Sequence, residues 1–251
     1  MTIAIAAAIG TVGLAIGTVT AWQWNRRTNA ERLVQAVLTA SPAKLATLIE
    51  ELPPFRGWTD PRFRAKLVDE QTDRETRLRA SLALAPVDPS QAGYLQAQML
   101  ACSFDEFPLI RDAIKARVTA TEIRQLWPTL RDPGKPESAR FRAGLALAAF
   151  ASENSEWTDA DALFLVGHLL AVNPEYQRDL RSHLSPVHMR LVKPLRDHFG
   201  NTDFRERVRE MAAVALADYG RDNPALLAEL LGEAIPVQYG HFFDTIASLP
   251  G

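Results

Sequence analysis

The sequence is nearly free of cysteine, with Cys102 alone among 251 residues. A single cysteine excludes an internal disulfide and leaves the redox compartment open. The surrounding segment "LACSFDEF" offers no histidine or basic residue that would activate a thiolate. We therefore interpret Cys102 as a small buried apolar residue.

The chain also lacks a strong net charge. Its 28 basic and 30 acidic residues give a formal net charge of −2, and the arginines are scattered among the acids. Because nucleic-acid binding needs a concentrated basic surface, we expect no nucleic-acid partner.

Catalytic signatures are missing as well. There is no glycine-rich phosphate loop, no V-A-I-K strand and no D-F-G motif, which excludes a protein kinase domain. The segment "QRDLRSHL", residues 177–184, is similar to the kinase catalytic loop, but Leu184 stands where that loop requires a magnesium-binding asparagine. We predict no catalytic residue and no cofactor, and we expect that the chain is not an enzyme.

The five histidines show no metal-ligand spacing. His183 and His188 are separated by Ser185-Pro186, a helix start, so they do not share one helix face. The other three have no carboxylate or cysteine at ligand spacing. We predict no metal site and expect the histidines to be solvated or to cap helices.

Only the start of the chain has an uncharged, mainly apolar run long enough to span a bilayer. No residue from Ile3 to Trp22 is charged, and about 20 helical residues span the roughly 30 Å core of a bilayer. Trp22 and Trp24 would lie at the membrane interface, and Arg26 and Arg27 among the lipid headgroups. This order of residues predicts a single transmembrane anchor over residues 1–27, bound to membrane lipid.

Two alternatives to the anchor remain, a cleaved signal peptide with its site at residues 19–21 and a soluble helix. A signal peptide needs a basic start and a shorter apolar centre, which this segment does not have. Within the run, Gly13 and Gly17 form a G-x-x-x-G step, and Ala6 and Gly10 add another small-x-x-x-small step. Such spacing indicates a helix-dimer face and a homodimer through the span, although small residues are common in membrane helices generally.

The remainder of the chain reads as successive helices. Apolar residues recur at intervals of three and four, as in Leu33, Val37 and Leu38, and no stretch alternates with the period of a strand. Helix starts are predicted where a capping residue precedes proline, at 41–42, 60–61, 88–89, 173–174, 185–186 and 223–224. Thr119 with Glu122 and Thr158 with Asp161 resemble capping boxes.

The helical pattern repeats. "RLRASLALAPV" (77–87) is similar to "RFRAGLALAAF" (140–150) at an offset of 63, and to "REMAAVALADY" (209–219) at a further 69. Leucines and alanines of these segments, such as Leu82, Leu84, Ala80 and Ala83, are predicted core. We divide residues 28–251 into copies of roughly 30–70, 72–134, 136–200 and 202–251. Each copy is long enough to hold pairs of short helices. Stacked helical pairs predict an all-α, HEAT-like α-α superhelix.

Several segments resemble a known architecture: "LVQAVLTASPAKLATLIEELPPFRGWTDPRFRAKL", "RFRAGLALAAF", "HLLAVNPEY" and "ALADYGRDNPALLAELL". They are similar to the helical-repeat region of large bacterial transmembrane proteins. In those proteins a cytoplasmic serine/threonine kinase domain, where present, precedes a span and the repeats, and a formylglycine-generating-enzyme-like domain often follows. The resemblance implies a kinase-associated helical array.

Two questions stay open at the level of sequence. Basic residues follow the span at Arg26, Arg27 and Arg32, which by the positive-inside rule favours cytoplasmic repeats. The resemblance instead implies extracytoplasmic repeats, which we expect. We also expect a non-catalytic membrane scaffold or interaction module with an unknown protein partner. The alternative is a part of a kinase or formylglycine-generating-type enzyme, since "IASLPG" ends within a copy.

Overall fold

The computed structural model describes residues 26–248, and every regular element within that range is helical. Helix α1 covers residues 26–39. Thirteen further α-helices follow, namely α2 (Pro42–Glu50), α3 (Arg56–Val68), α4 (Arg74–Leu84), α5 (Gln91–Met99), α6 (Phe107–Ile114), α7 (Ala120–Arg131), α8 (Glu137–Phe150), α9 (Asp159–Ala171), α10 (Pro174–Leu184), α11 (His188–Gly200), α12 (Glu206–Tyr219), α13 (Pro224–Glu233) and α14 (Pro236–Ala247). The all-α prediction is confirmed for this range.

Contacts divide the chain into two units, with the boundary after Arg117. In the first unit α3 packs on α4 and α5 on α6, and both α2 and α6 contact α4. Its core includes Phe63, Leu95 and Phe107, all fully buried. The unit boundary falls inside the second predicted copy, 72–134.

In the second unit the closest helix pairs are α7 with α8 and α11 with α12. Helix α9 packs against α11, and α14 packs against both α12 and α13. Fully or nearly fully buried phenylalanines, among them Phe141, Phe199 and Phe242, form much of this core. Phe199 and Phe242 meet edge to face, with ring centroids 5.6 Å apart.

The three similar segments form equivalent helices, α4, α8 and α12, which we call the alanine-rich helices. Each is buried around most of its circumference. The predicted core positions are confirmed, because the following residues are all buried: Ala80, Leu82, Ala83, Leu84, Ala143, Leu145, Ala146 and Leu147. Small residues let neighbouring helices approach closely, and the leucines fill the spaces between them.

A second repeated contact lies at the start of each alanine-rich helix. Arg77, Arg140 and Arg209 occupy the same position of the repeat, 63 and 69 residues apart. Their guanidinium groups donate to carbonyls at the end of the preceding helix: Nη2 of Arg77 to Asp69 at 3.2 Å, Nε of Arg140 to Leu130 at 2.9 Å, and Nε of Arg209 to Phe199 at 3.2 Å. These carbonyls lack intrahelical partners and carry the negative end of the helix dipole. The repeated arginine therefore links each alanine-rich helix to the helix before it.

Helix starts follow the predicted capping chemistry at several sites. Both capping boxes form, Thr119 with Glu122 and Thr158 with Asp161. Asn173 and Asn223 accept hydrogen bonds from first-turn N–H groups, with proline at the first helical position. These contacts satisfy donors that would otherwise be unpaired.

Three of the predicted starts are corrected by the structure. Pro61 lies inside α3, which begins at Arg56. Asp88 and Pro89 form a turn in which the Ser90 hydroxyl donates to the Asp88 carboxylate, and α5 begins two residues after Pro89. The 185–186 dipeptide begins a short 3-10 helix, Ser185–Val187, and α11 starts after it. Proline is compatible with the first turn of a helix. A capping residue before it marks a helix start only where the preceding chain is not already helical.

Candidate functional site

The most deeply buried ion-paired carboxylate of the second unit, that of Asp161, links α9 to α7. Arg131, the last residue of α7, makes a two-pronged contact with Asp161, with Nε 3.1 Å from Oδ1 and Nη2 2.8 Å from Oδ2. The Asp161 side chain is 3 % exposed. A planar guanidinium matches a carboxylate in this geometry, which strengthens both hydrogen bonds.

The position of Asp161 follows from the local sequence. Thr158 is the N-cap of α9. The Asp161 carboxylate accepts hydrogen bonds from the Thr158 backbone N–H at 2.9 Å and from the Thr158 hydroxyl at 2.8 Å. Both carboxylate oxygens of Asp161 thus accept from protein donors. The group holds two helices together, and nothing in its geometry leaves it placed as a general base.

A cavity of about 320 Å³ lies beside this ion pair. Its wall includes Arg140, whose guanidinium lies 4.1 Å from the centroid of the Phe164 ring while its Nε donates to Leu130. Both arginines in the wall therefore already make internal contacts. The cavity is a gap between packed helices rather than a site with converging free groups.

Two groups near this cavity have shifted pKa values. Burial raises the pKa of the Asp161 carboxyl, but hydrogen bonds from Arg131 and Thr158 outweigh burial and leave the pKa below its ordinary value of 3.8. Burial lowers the pKa of His168 below 6.5, with a smaller upward effect from Glu137. The His168 ring packs on Phe141, with centroids 4.3 Å apart. His168 is half-buried, so its ring is only partly exposed to solvent.

The depressed pKa of His168 predicts a loss of stability on acidification. The His168 imidazole binds its proton at a higher pH in the unfolded chain than in the folded chain. The contribution of neutral His168 to the free energy of unfolding is therefore fully present above about pH 6.5 and decreases as the pH falls through the folded pKa. We expect the change in free energy of unfolding between pH 7.5 and pH 5 to be smaller in His168→Gln than in the unchanged protein. Leu170 aligns with Leu100 at an offset of 70 residues, so Gln98 of α5 occupies the position equivalent to His168. Urea unfolding at the two pH values measures the difference, and identical pH dependence in both proteins would contradict the assignment.

The residues predicted at the membrane fall mostly outside the described range. This holds for Trp22 and Trp24 and for the dimer-face glycines, Gly10, Gly13 and Gly17. Arg26 and Arg27 begin α1, and Nε of Arg27 lies 3.5 Å from Glu31 in an exposed pair. Across residues 26–248, no helix has both the length and the apolar content needed to cross a bilayer.

The residues considered for catalysis lie in the packed core of the fold. Cys102 is fully buried, and its thiol lies 3.2 Å from the Met99 carbonyl, as expected of a small core residue. Leu180 and Leu184 of the kinase-like segment are buried on one face of α10. In the part of the chain that the structure describes, no group of three or more histidine, cysteine or acidic residues is placed to hold a metal ion.

A shallow groove of about 510 Å³ lies between the first turns of α7 and the loop after α8. Its lining includes the apolar side chains of Ile123 and Phe150 and the charged side chains of Arg124, Glu153 and Glu156. The mixture of one basic and two acidic side chains on an open groove is typical of a polar contact surface. No buried polar group converges on it.

Sequence reasoning missed the exposed apolar surface of α14. We define the α14 outer face as Pro236, Val237, Tyr239, Gly240, Phe243 and the charged Asp244, all of them exposed. Tyr239 and Phe243 are 46 % and 52 % exposed, and their rings stack with centroids 5.9 Å apart. The signal was present in "EAIPVQYGHFFDTI" (233–246): when α14 is aligned with α10 by their first residues, Pro236 and Pro174, positions 237, 240 and 243 correspond to the charged residues at 175, 178 and 181.

Comparisons with known proteins returned no match: no family model, curated protein or solved structure is significantly similar to this chain.

Proposed function

We propose that this protein is a non-catalytic, membrane-anchored scaffold built from HEAT-like helical repeats. The observation that supports it most is the repeated arginine contact, in which Arg77, Arg140 and Arg209 each bind the end of the preceding helix. A contact that recurs at the same position is typical of stacked repeat units, which present extended surfaces for binding other proteins.

The use of the polar residues favours a scaffold over an enzyme. The most deeply buried carboxylate among the ion pairs, that of Asp161, is occupied by contacts within the fold, from Arg131 and Thr158. The repeated arginines likewise donate hydrogen bonds to carbonyls at helix ends. An active site instead requires polar groups that converge on a cavity and remain available to a substrate.

Two exposed surfaces of the second unit are candidates for partner binding. The α14 outer face presents Tyr239 and Phe243, and aromatic residues are enriched at protein interfaces. The groove beside α7 adds polar groups for such a contact, from Arg124, Glu153 and Glu156 in its lining. An apolar centre with polar surroundings suits a protein partner better than a small ligand.

The proposed anchor rests on residues 1–27. Their uncharged run from Ile3 to Trp22, followed by Trp24 and Arg26, has the length and the flanks of a single span. By the resemblance to bacterial receptor-like proteins, the repeats would lie on the extracytoplasmic side.

Membrane fractionation tests the anchor. We expect the intact chain in the membrane pellet after an alkaline wash, and the chain without residues 1–27 in the supernatant. Ile16→Arg places a charge near the middle of the span, at about 3 kcal/mol against insertion, and we expect it to reduce the pelleted fraction. Ile16→Leu is the matched control and should leave it unchanged. Recovery of the intact chain in the supernatant would contradict the anchor.

Affinity capture from crosslinked membranes tests the scaffold, with the chain lacking residues 1–27 as the comparison. We expect at least one protein to be enriched reproducibly with the anchored chain, because a scaffold acts by binding. Enrichment of no protein with either form would contradict the proposal.

A further inference from the structure

Charge is distributed unevenly along the chain. Residues 26–68, which contain α1, α2 and α3, carry eight basic and four acidic side chains, whereas residues 69–251 carry 20 basic and 26 acidic ones. A chain that is slightly acidic overall therefore has a net positive segment directly after the predicted span. Such a concentration of positive charge favours an anionic partner.

The fold brings cations of this segment together in the first unit. Nε of Arg27 in α1 lies 3.5 Å from Oε1 of Glu31, and Nη2 of Arg62 in α3 contacts the same oxygen. Two guanidinium groups thus share one carboxylate, which leaves an excess positive charge at the contact between the two helices. The side chains of Arg27 and Arg62 are 66 % and 34 % exposed, so this charge is open to solvent.

Further side chains extend this contact along both helices. Lys66 lies one turn after Arg62 and Trp58 one turn before it, so all three are on the same side of α3. Arg32 is exposed on α1, next to Glu31. We define the α1/α3 surface by six residues, each of them exposed or partly exposed: Arg27, Glu31, Arg32, Trp58, Arg62 and Lys66.

The acidic residues of α1 and α3 leave this surface net positive. The surface itself carries four basic side chains and one acidic side chain, Glu31. Asp60 of α3 is buried and makes an ion pair with Arg56 of the same helix, at 3.2 Å. Asp69 lies one turn after Lys66, at the end of α3. Even when Asp69 is counted with the surface, basic residues outnumber acidic ones by four to two.

We propose that the α1/α3 surface binds the anionic headgroups of the membrane in which the chain is anchored, and so holds the first unit against the bilayer. Each basic side chain close to an anionic bilayer strengthens binding by about fivefold. Lipid phosphates accept hydrogen bonds from arginine as carboxylates do, and Arg62 already donates to the Glu31 carboxylate. Trp58 adds an amphipathic ring of the kind enriched at membrane interfaces.

The position of the surface in the chain favours lipid as its partner. Glu31 lies four residues after Arg27 in α1, which is about 6 Å of helix rise. The Debye length is about 10 Å at 0.1 M salt. The cations around Glu31 therefore lie close enough to interact with headgroups at the end of a span that precedes Arg26. Since it uses the anchor, this inference rests on the proposed function.

Headgroup quenching of a label on α3 tests the contact. We would introduce Ala65→Cys in the full chain, because Ala65 is exposed and lies between Arg62 and Lys66 in the helix, and attach a fluorescent maleimide. Vesicles of phosphatidylcholine, with or without about one third phosphatidylglycerol, carry a quencher on a lipid headgroup. At low salt we expect at least about twofold stronger quenching with phosphatidylglycerol, and no difference at about 1 M salt, where screening is nearly complete.

Two controls identify the origin of the signal. Ala97→Cys is the matched control, since Ala97 is also an exposed alanine but lies on α5, outside the surface. We expect quenching of a label at this position to depend less on phosphatidylglycerol. The unchanged chain gives the background, because its one cysteine, Cys102, is buried.

Arg32→Gln combined with Lys66→Gln, made in the Ala65→Cys chain, supplies the disrupting variant. Circular dichroism would confirm that it folds, and we expect the dependence on phosphatidylglycerol to be lost. Lys115→Gln combined with Arg178→Gln removes the same charge from exposed positions outside the surface and should preserve it. Equal quenching of the Ala65→Cys label in the two lipids would overturn the contact. So would a lipid dependence that the first pair of substitutions leaves unchanged.

Flotation of the same vesicles separates this inference from the proposed anchor. A chain that floats with both lipids but shows no lipid-dependent quenching overturns the surface contact and leaves the anchor standing. A chain that floats only with phosphatidylglycerol at low salt overturns the anchor, and it supports the contact if Arg32→Gln with Lys66→Gln abolishes the flotation. If those substitutions leave it unchanged, the contact is overturned as well. A chain that floats with neither lipid overturns both.

Discussion

Replacing Arg131 by methionine is expected to lower the free energy of unfolding by about 3 kcal/mol. The substitution leaves the Asp161 carboxylate, with a side chain 3 % exposed, without its two-pronged partner. Thr158 still donates two hydrogen bonds to it, which limits the loss. Urea unfolding followed by circular dichroism at pH 7 measures the change.

A matched control exists on the surface of the same unit. Arg196 contacts Glu229 and Glu233 in an ion pair whose acidic side chains are about half exposed. We expect Arg196→Met to change stability by less than about 1 kcal/mol, because solvent screens such pairs. We also expect Arg131→Met combined with Asp161→Asn to be more stable than Arg131→Met alone, since no unpaired carboxylate is then buried. Equal effects of the two arginine substitutions would contradict the role given to Asp161.

Replacing Gly144 by valine is expected to destabilise the protein by about 2 kcal/mol. Gly144 lies in α8, where a Cβ would overlap Cδ2 of Leu165 and come 3.5 Å from Cδ1 of Leu130. Leu165 is fully buried, so its side chain cannot move aside into solvent. Thermal or urea unfolding measures the loss.

Gly167 in α9 provides the opposite expectation. A Cβ built there meets no atom within 4 Å, so Gly167→Ala should raise stability by up to about 1 kcal/mol through helix propensity. If Gly144→Val were as stable as the unchanged protein, the close packing of α8 on α9 would be refuted.

Much of the local structure was predictable from sequence because its causes are local. The alanine-rich segments carry their own burial pattern, and residues such as Ala83 and Leu147 are buried as predicted. The capping boxes at Thr119 and Thr158 depend on residues three positions apart. Arrangement of the copies into a superhelix depends on contacts between units and stays a prediction.

The internal prolines show where local reasoning fails. Pro61, Pro128 and Pro194 lie inside α3, α7 and α11, at nearly equal spacings of 67 and 66 residues. Each proline removes one backbone donor, a loss that packing in the surrounding structure must offset. The sequence rule that proline starts a helix has no access to that packing. This rule failed at Pro61, although the recurrence of proline at this position of the repeat is visible in the sequence.

The candidate surfaces were less predictable for a related reason. Thr158 and Asp161 were identified as a cap, but Arg131 lies 30 residues earlier and only the fold brings it to the same carboxylate. Exposure of Phe243 was also hidden, because Phe242 beside it is fully buried and sequence alone does not say which of the two faces the core.

The arginine contacts at helix ends also bear on how the chain is made. Arg140 and Arg209 each reach a carbonyl only ten residues earlier, so these links can form as soon as a short length of polypeptide has left the ribosome. Contacts of such short range favour rapid folding and few kinetic traps. Successive helices can thus assemble in the order of their synthesis, without waiting for the carboxyl terminus.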